Sequence, residues 1–195
     1  VRLVLASTSR YRRELLTRLG LPFTCVSPGV DETPAADEAP EVLALRLARA
    51  KAAAVAATVD GPALVIGSDQ CLGLDGRIVG KPGTVEAACA QLAASSGRRV
   101  RFHTAVAVIR TDDGAERTHV DTTEVVFRTL DAATIRRYVA REEPLDCAGS
   151  FRSEGLGIAL FERIDNADPT ALVGLPLIAT ARMLRELGLD PLAAR

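Results

Sequence analysis

Four charged side chains, far apart in the sequence, have chemistry together that none has alone. Asp69 follows the apolar run Val65-Ile66-Gly67-Ser68, just beyond a strand-like segment. Loops beyond strand ends are common ligand positions in α/β proteins. A carboxylate there can bind a divalent metal or accept a proton from water, and it can equally close a structural turn. Glu32, within Val30-Asp31-Glu32-Thr33, offers a second hard oxygen ligand. Lys51 and Lys81, the latter in Gly80-Lys81-Pro82, are cations for phosphate. Each lysine taken singly also reads as a solvated surface residue. As a set, the four suit magnesium-assisted chemistry on a phosphorylated substrate.

The N-terminal run Leu3-Val4-Leu5-Ala6-Ser7-Thr8-Ser9-Arg10-Tyr11-Arg12-Arg13-Glu14-Leu15-Leu16 extends this reading. An apolar strand stops at hydroxyls and arginines where a helix should begin. Free backbone N–H groups at a helix N-terminus make a site for anions. Ser7, Thr8 and Ser9 can donate to the anion or cap the helix, and Arg12 can present a bidentate fork to phosphate. The other reading is a capped helix with a solvated basic turn.

A third segment, Ala148-Gly149-Ser150-Phe151-Arg152-Ser153-Glu154-Gly155-Leu156-Gly157, is rich in glycines that allow tight turns. Glu154 can accept N–H donors from a guanine-like edge, and its charge suits a cationic, N7-methylated purine. Tyr11 can stack on that base. Alternatively Tyr11 packs on a helix side and Glu154 is solvated. Other chemistries lack their signatures: there is no GxxxxGK[ST] loop, dinucleotide-binding glycine fingerprint or GxSxG elbow. His103 and His119 have no metal-ligand partners in sequence, and Cys147 reads as a small buried hydrophobe.

The elements that must position these groups follow from periodicity. Strands are expected over 1–6, 21–26, 64–67, 100–110, 117–127 and 159–164, with a hairpin over 72–79 turning at Asp75-Gly76. Helices are expected over 12–19, 42–57, 85–94, 132–139 and 177–187. The stripe of the second helix reads as Leu43, Leu47, Ala50 and Ala54. The order implies an α/β fold, a mixed central β-sheet flanked by helices in two lobes, within one domain over residues 1–195.

Composition sets the outer bounds. The chain has 195 residues, 48% hydrophobic and 25% charged, which is ordinary globular usage. A formal net charge of -1 argues against a broad nucleic-acid surface. No apolar run approaches a membrane span, and the N-terminus shows no secretory apolar region, so no membrane association and a cytoplasmic location are expected. Cys25, Cys71, Cys89 and Cys147 are widely spaced and are expected to be reduced thiols.

The collected motifs closely resemble the Maf-like nucleoside triphosphate pyrophosphatases. The resemblance runs from Leu5-Ala6-Ser7-Thr8-Ser9 with Arg12-Arg13-Glu14-Leu15-Leu16 through Val30-Asp31-Glu32-Thr33, Arg46-Leu47-Ala48-Arg49-Ala50-Lys51-Ala52, Gly67-Ser68-Asp69-Gln70 and Gly80-Lys81-Pro82. It continues through Cys147-Ala148-Gly149-Ser150-Phe151 to Val173-Gly174-Leu175-Pro176-Leu177. Within the family the chain looks most like a bacterial subgroup directed at 7-methyl-GTP. Family members favouring dTTP or UTP usually carry Arg, Thr and Gln where this chain has Tyr11, Gln70 and Glu154. Arg10 stands where the family often has proline, which leaves the shape of the first helical turn open.

The resemblance implies a Maf/inosine triphosphate pyrophosphatase-like fold. It implies hydrolysis between the α and β phosphates of 7-methyl-GTP or other modified nucleoside triphosphates, giving a monophosphate and pyrophosphate. Asp69 would match the proton acceptor, and Lys51 and Lys81 would share catalysis with it. Ser7, Arg12, Lys51 and Lys81 would match phosphate-binding positions, and Tyr11, Gln70 and Glu154 base-selectivity positions. A divalent cation, Mg2+ first and Mn2+ as the alternative, would sit near Glu32 and Asp69. A homodimer is implied, with a nucleoside triphosphate as substrate and no long nucleic acid as partner. The competing readings are a pyrophosphatase preferring dTTP or UTP, and a non-catalytic nucleotide-binding regulator of septum formation.

Overall fold

In the computed structural model, which describes residues 1–193, one mixed sheet organises the chain. Its strands are β1 (Arg2–Ala6), β2 (Phe23–Val26), β3 (Ala63–Leu74), β4 (Arg77–Val79), β5 (Arg99–Arg110), β6 (Glu116–Phe127) and β7 (Phe161–Asp165). The order is β2-β1-β3-β5-β6-β7, with β4 also on β3. β1 runs parallel to β2 and β3, and the remaining pairings are antiparallel. The α-helices are α1 (Arg10–Thr17), α2 (Pro40–Ala56), α3 (Val85–Ser95), α4 (Ala132–Glu142) and α5 (Leu177–Glu186).

β3 is the central member. One of its edges pairs with β5 continuously from Leu64 to Gly73. Its other edge is shared: Ala63–Gly67 pairs with β1, and Leu72–Leu74 pairs with β4. Residues 68–71 lie between these two partners, with no strand among the described residues beside them on that edge. This corrects the expectation of a short strand over 64–67 with Asp69 in the loop beyond it. Asp69 is inside the strand, because β5 carries the ladder past it on the far edge. The expected hairpin at Asp75-Gly76 forms, with φ 52° and 75° at its two turn residues and Leu74 opposite Arg77.

The helices cover the sheet in two groups. α1 and α5 bury Leu15, Leu16, Met183 and Leu184 against Leu5, Ile66 and Val106 on one face. α2 lies on the opposite face, and Pro40 suits its first position because the missing N–H costs nothing there. Its buried stripe is Leu43, Ala44, Leu47, Ala48, Lys51, Ala52 and Val55. The expected Ala50 and Ala54 lie at its margin. The small residues explain the rotation. A Cβ on Gly67 would meet the Ala48 carbonyl oxygen at 2.2 Å and the Ala52 nitrogen at 2.5 Å. Helix and strand backbones therefore nearly touch, and this contact draws Lys51 into the buried face.

α3 and α4 form the second group. They pack on a cluster in which Phe102, Phe127, Phe151 and Phe161 meet edge to face, with centroids 4.8 to 5.7 Å apart. The last strand begins at Phe161, since residues 156–160 form a 3-10 turn where the sequence pattern suggested strand. All four cysteines are free thiols. No helix among the described residues is long and apolar enough to cross a membrane.

Candidate active site

The gap on the edge of β3 opens into a cleft of about 870 Å³. Ser7, Tyr11, Arg12, Glu32, Lys51, Asp69, Gln70, Lys81 and Glu154 all line it. They arrive from the β1–α1 turn, the loop after β2, α2, β3, the end of β4 and the 146–154 segment. His103 and His119 lie on β5 and β6 and do not line this cleft.

At the floor, the Lys51 Nζ lies 2.6 Å from Asp69 Oδ1 and 2.6 Å from Glu32 Oε1. Lys51 is 5% exposed and Asp69 8%. This overturns the reading of Lys51 as a solvated surface residue. Partial burial raises the Glu32 carboxyl, but the Lys51 hydrogen bond and the charges of Lys51, Lys81 and Arg12 outweigh it and leave Glu32 below the usual carboxyl range. Cys71, which the sequence reading left without a role, places its Sγ 3.8 Å from Asp69 Oδ2. Burial, with the Asp69 charge beside it, pushes this thiol up to about 12, so it stays protonated.

The β1–α1 turn is held by its own hydroxyls. Ser7 Oγ accepts from the Ser9 N–H at 3.1 Å, and Ser9 caps α1 by accepting from the Arg12 N–H. The cap is Ser9, and Arg10 begins a regular helix. The first turn of α1 carries no acid. Basic residues there oppose the helix dipole, an arrangement that an anion relieves. The Arg12 Nε–H donates to the Gly174 carbonyl oxygen at 2.9 Å. Burial lowers the Arg12 pKa from its ordinary value, against the opposing pull of Asp69 and Glu32. Its two terminal nitrogens have no protein partner among the described residues. Lys81 is exposed at the rim and makes no ion pair among the described residues.

Gln70 is placed differently from a free base-reading group. Its Nε2 donates to Thr104 Oγ1 at 3.0 Å and to the carbonyl oxygens of Ala171 and Leu172 at 3.1 and 3.0 Å. Ser68 Oγ donates to the Gly174 oxygen at 3.2 Å. Together Ser68, Gln70 and Arg12 fasten the 171–174 segment to the cleft wall. Gln70 Oε1 is the part of that side chain left for a ligand. Tyr11 is half-buried, with the Arg10 guanidinium 4.7 Å from its ring centroid and Arg10 Nη2 2.8 Å from its hydroxyl. Glu154 is exposed and accepts from Ser153 Oγ at 3.3 Å.

Another signal was readable but unused. Of 24 lysine and arginine residues, only Lys51 and Lys81 are lysines, and both line this cleft. Lysine is a compact point charge and arginine a wide planar fork. A chain that uses arginine everywhere else keeps the ammonium at these two positions.

The donors fit a magnesium-sized cation in one way only. Among the described residues no group of three or more His, Cys, Asp or Glu side chains could hold a metal. Glu32 and Asp69 offer two hard carboxylates converging on one point. This suits a cation that completes its shell with water and phosphate oxygens instead of a protein cage.

The chain matches the model of the family described as Maf-like protein over residues 2–187. A relative from Xanthomonas oryzae pv. oryzae, named 7-methyl-GTP pyrophosphatase, is 60% identical over 189 residues, 96% of this chain and 97% of that one. Proteins of the same name from Burkholderia orbicola and Bordetella pertussis are 58% and 57% identical, covering 94% and 98% of this chain and 89% and 94% of theirs. The solved Staphylococcus aureus Ham1 protein overlaps 65% of this chain and 72% of its own, at a TM-score of 0.44 and 18% identity. With its family model spanning nearly every element described above, and relatives this similar along about nine-tenths or more of their length, the chain belongs to the Maf-like proteins.

Proposed function

We propose that the protein hydrolyses 7-methyl-GTP between the α and β phosphates, releasing 7-methyl-GMP and pyrophosphate. The observation that carries this reading is the convergence of Asp69, Lys51 and Glu32 on the open edge of β3, with Arg12 and Lys81 on the same cleft. The names of the near-full-length relatives supply the substrate.

In this reading Asp69 takes a proton from water as its oxygen attacks the α phosphorus. The new O–P bond forms, the bridging P–O bond to the β phosphate breaks, and pyrophosphate leaves with that electron pair. Arg12, Lys51 and Lys81 bind the phosphate oxygens and offset their growing charge. Ser7 and the α1 N–H groups orient the same tail. Glu32 and Asp69 would hold the divalent cation, which supplies charge neutralisation of the phosphates when bound. At the far end Tyr11 stacks on the base and Glu154 accepts from the guanine edge while opposing the positive charge of the methylated ring.

Mg2+ as the physiological ion, with Mn2+ as substitute, a homodimer, a single domain over the whole chain and a cytoplasmic location belong to the same proposal. The metal and the homodimer rest on the family resemblance, and the single domain and the location on the sequence pattern.

The test is a matched panel of 7-methyl-GTP, GTP, dTTP and UTP, with products separated by chromatography. Monophosphate plus pyrophosphate, and the highest kcat/KM for 7-methyl-GTP, are expected. Diphosphate plus orthophosphate as first products would reject the reaction. A dTTP or UTP preference would keep the reaction and reject the base. Binding without turnover would favour the regulatory reading.

A further inference from the structure

The Lys51 ammonium occupies the one point that the two metal-suited carboxylates share. Nζ lies 2.6 Å from Asp69 Oδ1 and 2.6 Å from Glu32 Oε1. The second Asp69 oxygen lies 3.8 Å from the Cys71 Sγ. Lys51 reaches this point from the buried face of α2, which packs closely on β3 at Gly67. Glu32 comes from the loop after β2, with its side chain 56% exposed.

The charges lead to the same point. Lys51, Lys81 and Arg12 all act on Glu32, and Arg12 also feels Asp69, so at this point three cations face two carboxylates. A divalent cation entering alone would meet an ammonium at contact distance and a site with no net attraction for it. A triphosphate changes the balance. It brings several negative charges and gives the ammonium new oxygens to bind.

We infer that Lys51 is a built-in counter-ion holding the place of the metal, and that a divalent cation enters only together with the phosphate tail, as Nζ passes from the carboxylates to phosphate oxygens. This rests on the pyrophosphatase reading for the identity of the anion. Binding of metal and triphosphate is then mutually reinforcing, each raising the affinity of the other by one common factor.

The chain's two lysines make the test direct. With 13Cε-labelled lysine the protein gives two side-chain signals, assigned by Lys81→Arg. Mg2+ alone should leave the Lys51 signal in place, and Mg2+ with a non-hydrolysable α,β-methylene triphosphate should move it. A Lys51 signal that moves fully with Mg2+ alone would overturn the inference. So would one that stays fixed when the triphosphate analogue is bound with Mg2+.

A second arm needs no nucleotide. Mn2+ affinity, read from the loss of the free Mn2+ paramagnetic resonance signal, should rise by about tenfold in Lys51→Met. Adding Glu32→Gln should abolish that gain. Equal or weaker Mn2+ binding in Lys51→Met, with its circular dichroism unchanged, would overturn the inference. A protein that binds no triphosphate would reject the pyrophosphatase reading, and this arm would still decide the role of Lys51.

Discussion

Arg12 Nε and the carbonyl oxygen of Gly174 are joined by a 2.9 Å hydrogen bond. The contact ties the first helix to the segment before the last one. It spends the inner nitrogen of the guanidinium on the protein and leaves the outer pair to a ligand. Gly174 is buried, and its φ of 131° is a conformation side chains rarely adopt. The arginine is thus aimed by a backbone carbonyl that is itself held by Ser68.

Arg12→Ala should therefore lower kcat/KM for the triphosphate by about 10–100-fold, the range of a charged phosphate hydrogen bond. Arg12→Lys should recover little, since an ammonium cannot bond Gly174 and fork onto phosphate together. Lys81→Ala, at an exposed site, should cost less, and its loss should shrink as salt is raised. Steady-state kinetics at two ionic strengths check all three.

Asp69→Asn keeps the size of the side chain and removes the proton acceptor. Turnover should fall by about 100–10,000-fold while nucleotide binding persists. Lys51→Arg should be nearly as inactive as Lys51→Ala, because a planar fork does not fit the buried point between Asp69 and Glu32. Single-turnover assays alongside equilibrium nucleotide binding separate the chemical defect from lost affinity.

Tyr11→Ala and Glu154→Gln should each compress the preference for 7-methyl-GTP over GTP by about 3–30-fold. The first removes the stacking face, the second the charge opposing the cationic ring. The ratio of the two kcat/KM values is the readout. A general loss of activity that left this ratio unchanged would count against both assignments.

Asp121, on β6, is buried, and its Oδ1 has no partner among the described residues. Burial, and the nearby charge of Asp168, raise its carboxyl above the ordinary value. The ionised form is thus penalised in the fold. That penalty is full above the raised native value and gone below the ordinary unfolded one. Asp121→Asn should stabilise the protein by about 1 kcal/mol near neutral pH. The advantage should fade as the pH is lowered toward about 4, which melting curves across that range would show.

The strands and helices were legible in the sequence because they depend on local period and residue type, whereas the members of the cleft were gathered as a set by the family resemblance. The sequence did not show Lys51 as buried, since helix periodicity cannot report that Gly67 lets α2 sink onto β3. It set Asp69 beyond a strand because apolar character ends at Gly67, whereas the ladder is continued by β5, far along the chain. The Gln70 side chain was equally hidden, since its partners Ala171 and Leu172 are about a hundred residues away. What escaped was long-range contact in each case.

The shared edge of β3 bears on the order of assembly. β5 and β6 form a hairpin closed at Ile109 and Glu116, whereas Arg2 must find Ala63 across α1, β2 and α2. Pairing between neighbours in sequence forms early and pairing across long loops late. Ser7 and Arg12, which follow β1, come to line the cleft beside Asp69 only once this late pairing exists. Catalytic competence should then be the last property a refolding chain regains, after its far-ultraviolet dichroism has recovered. A nascent or damaged chain with most of its sheet intact would still be silent toward nucleotide.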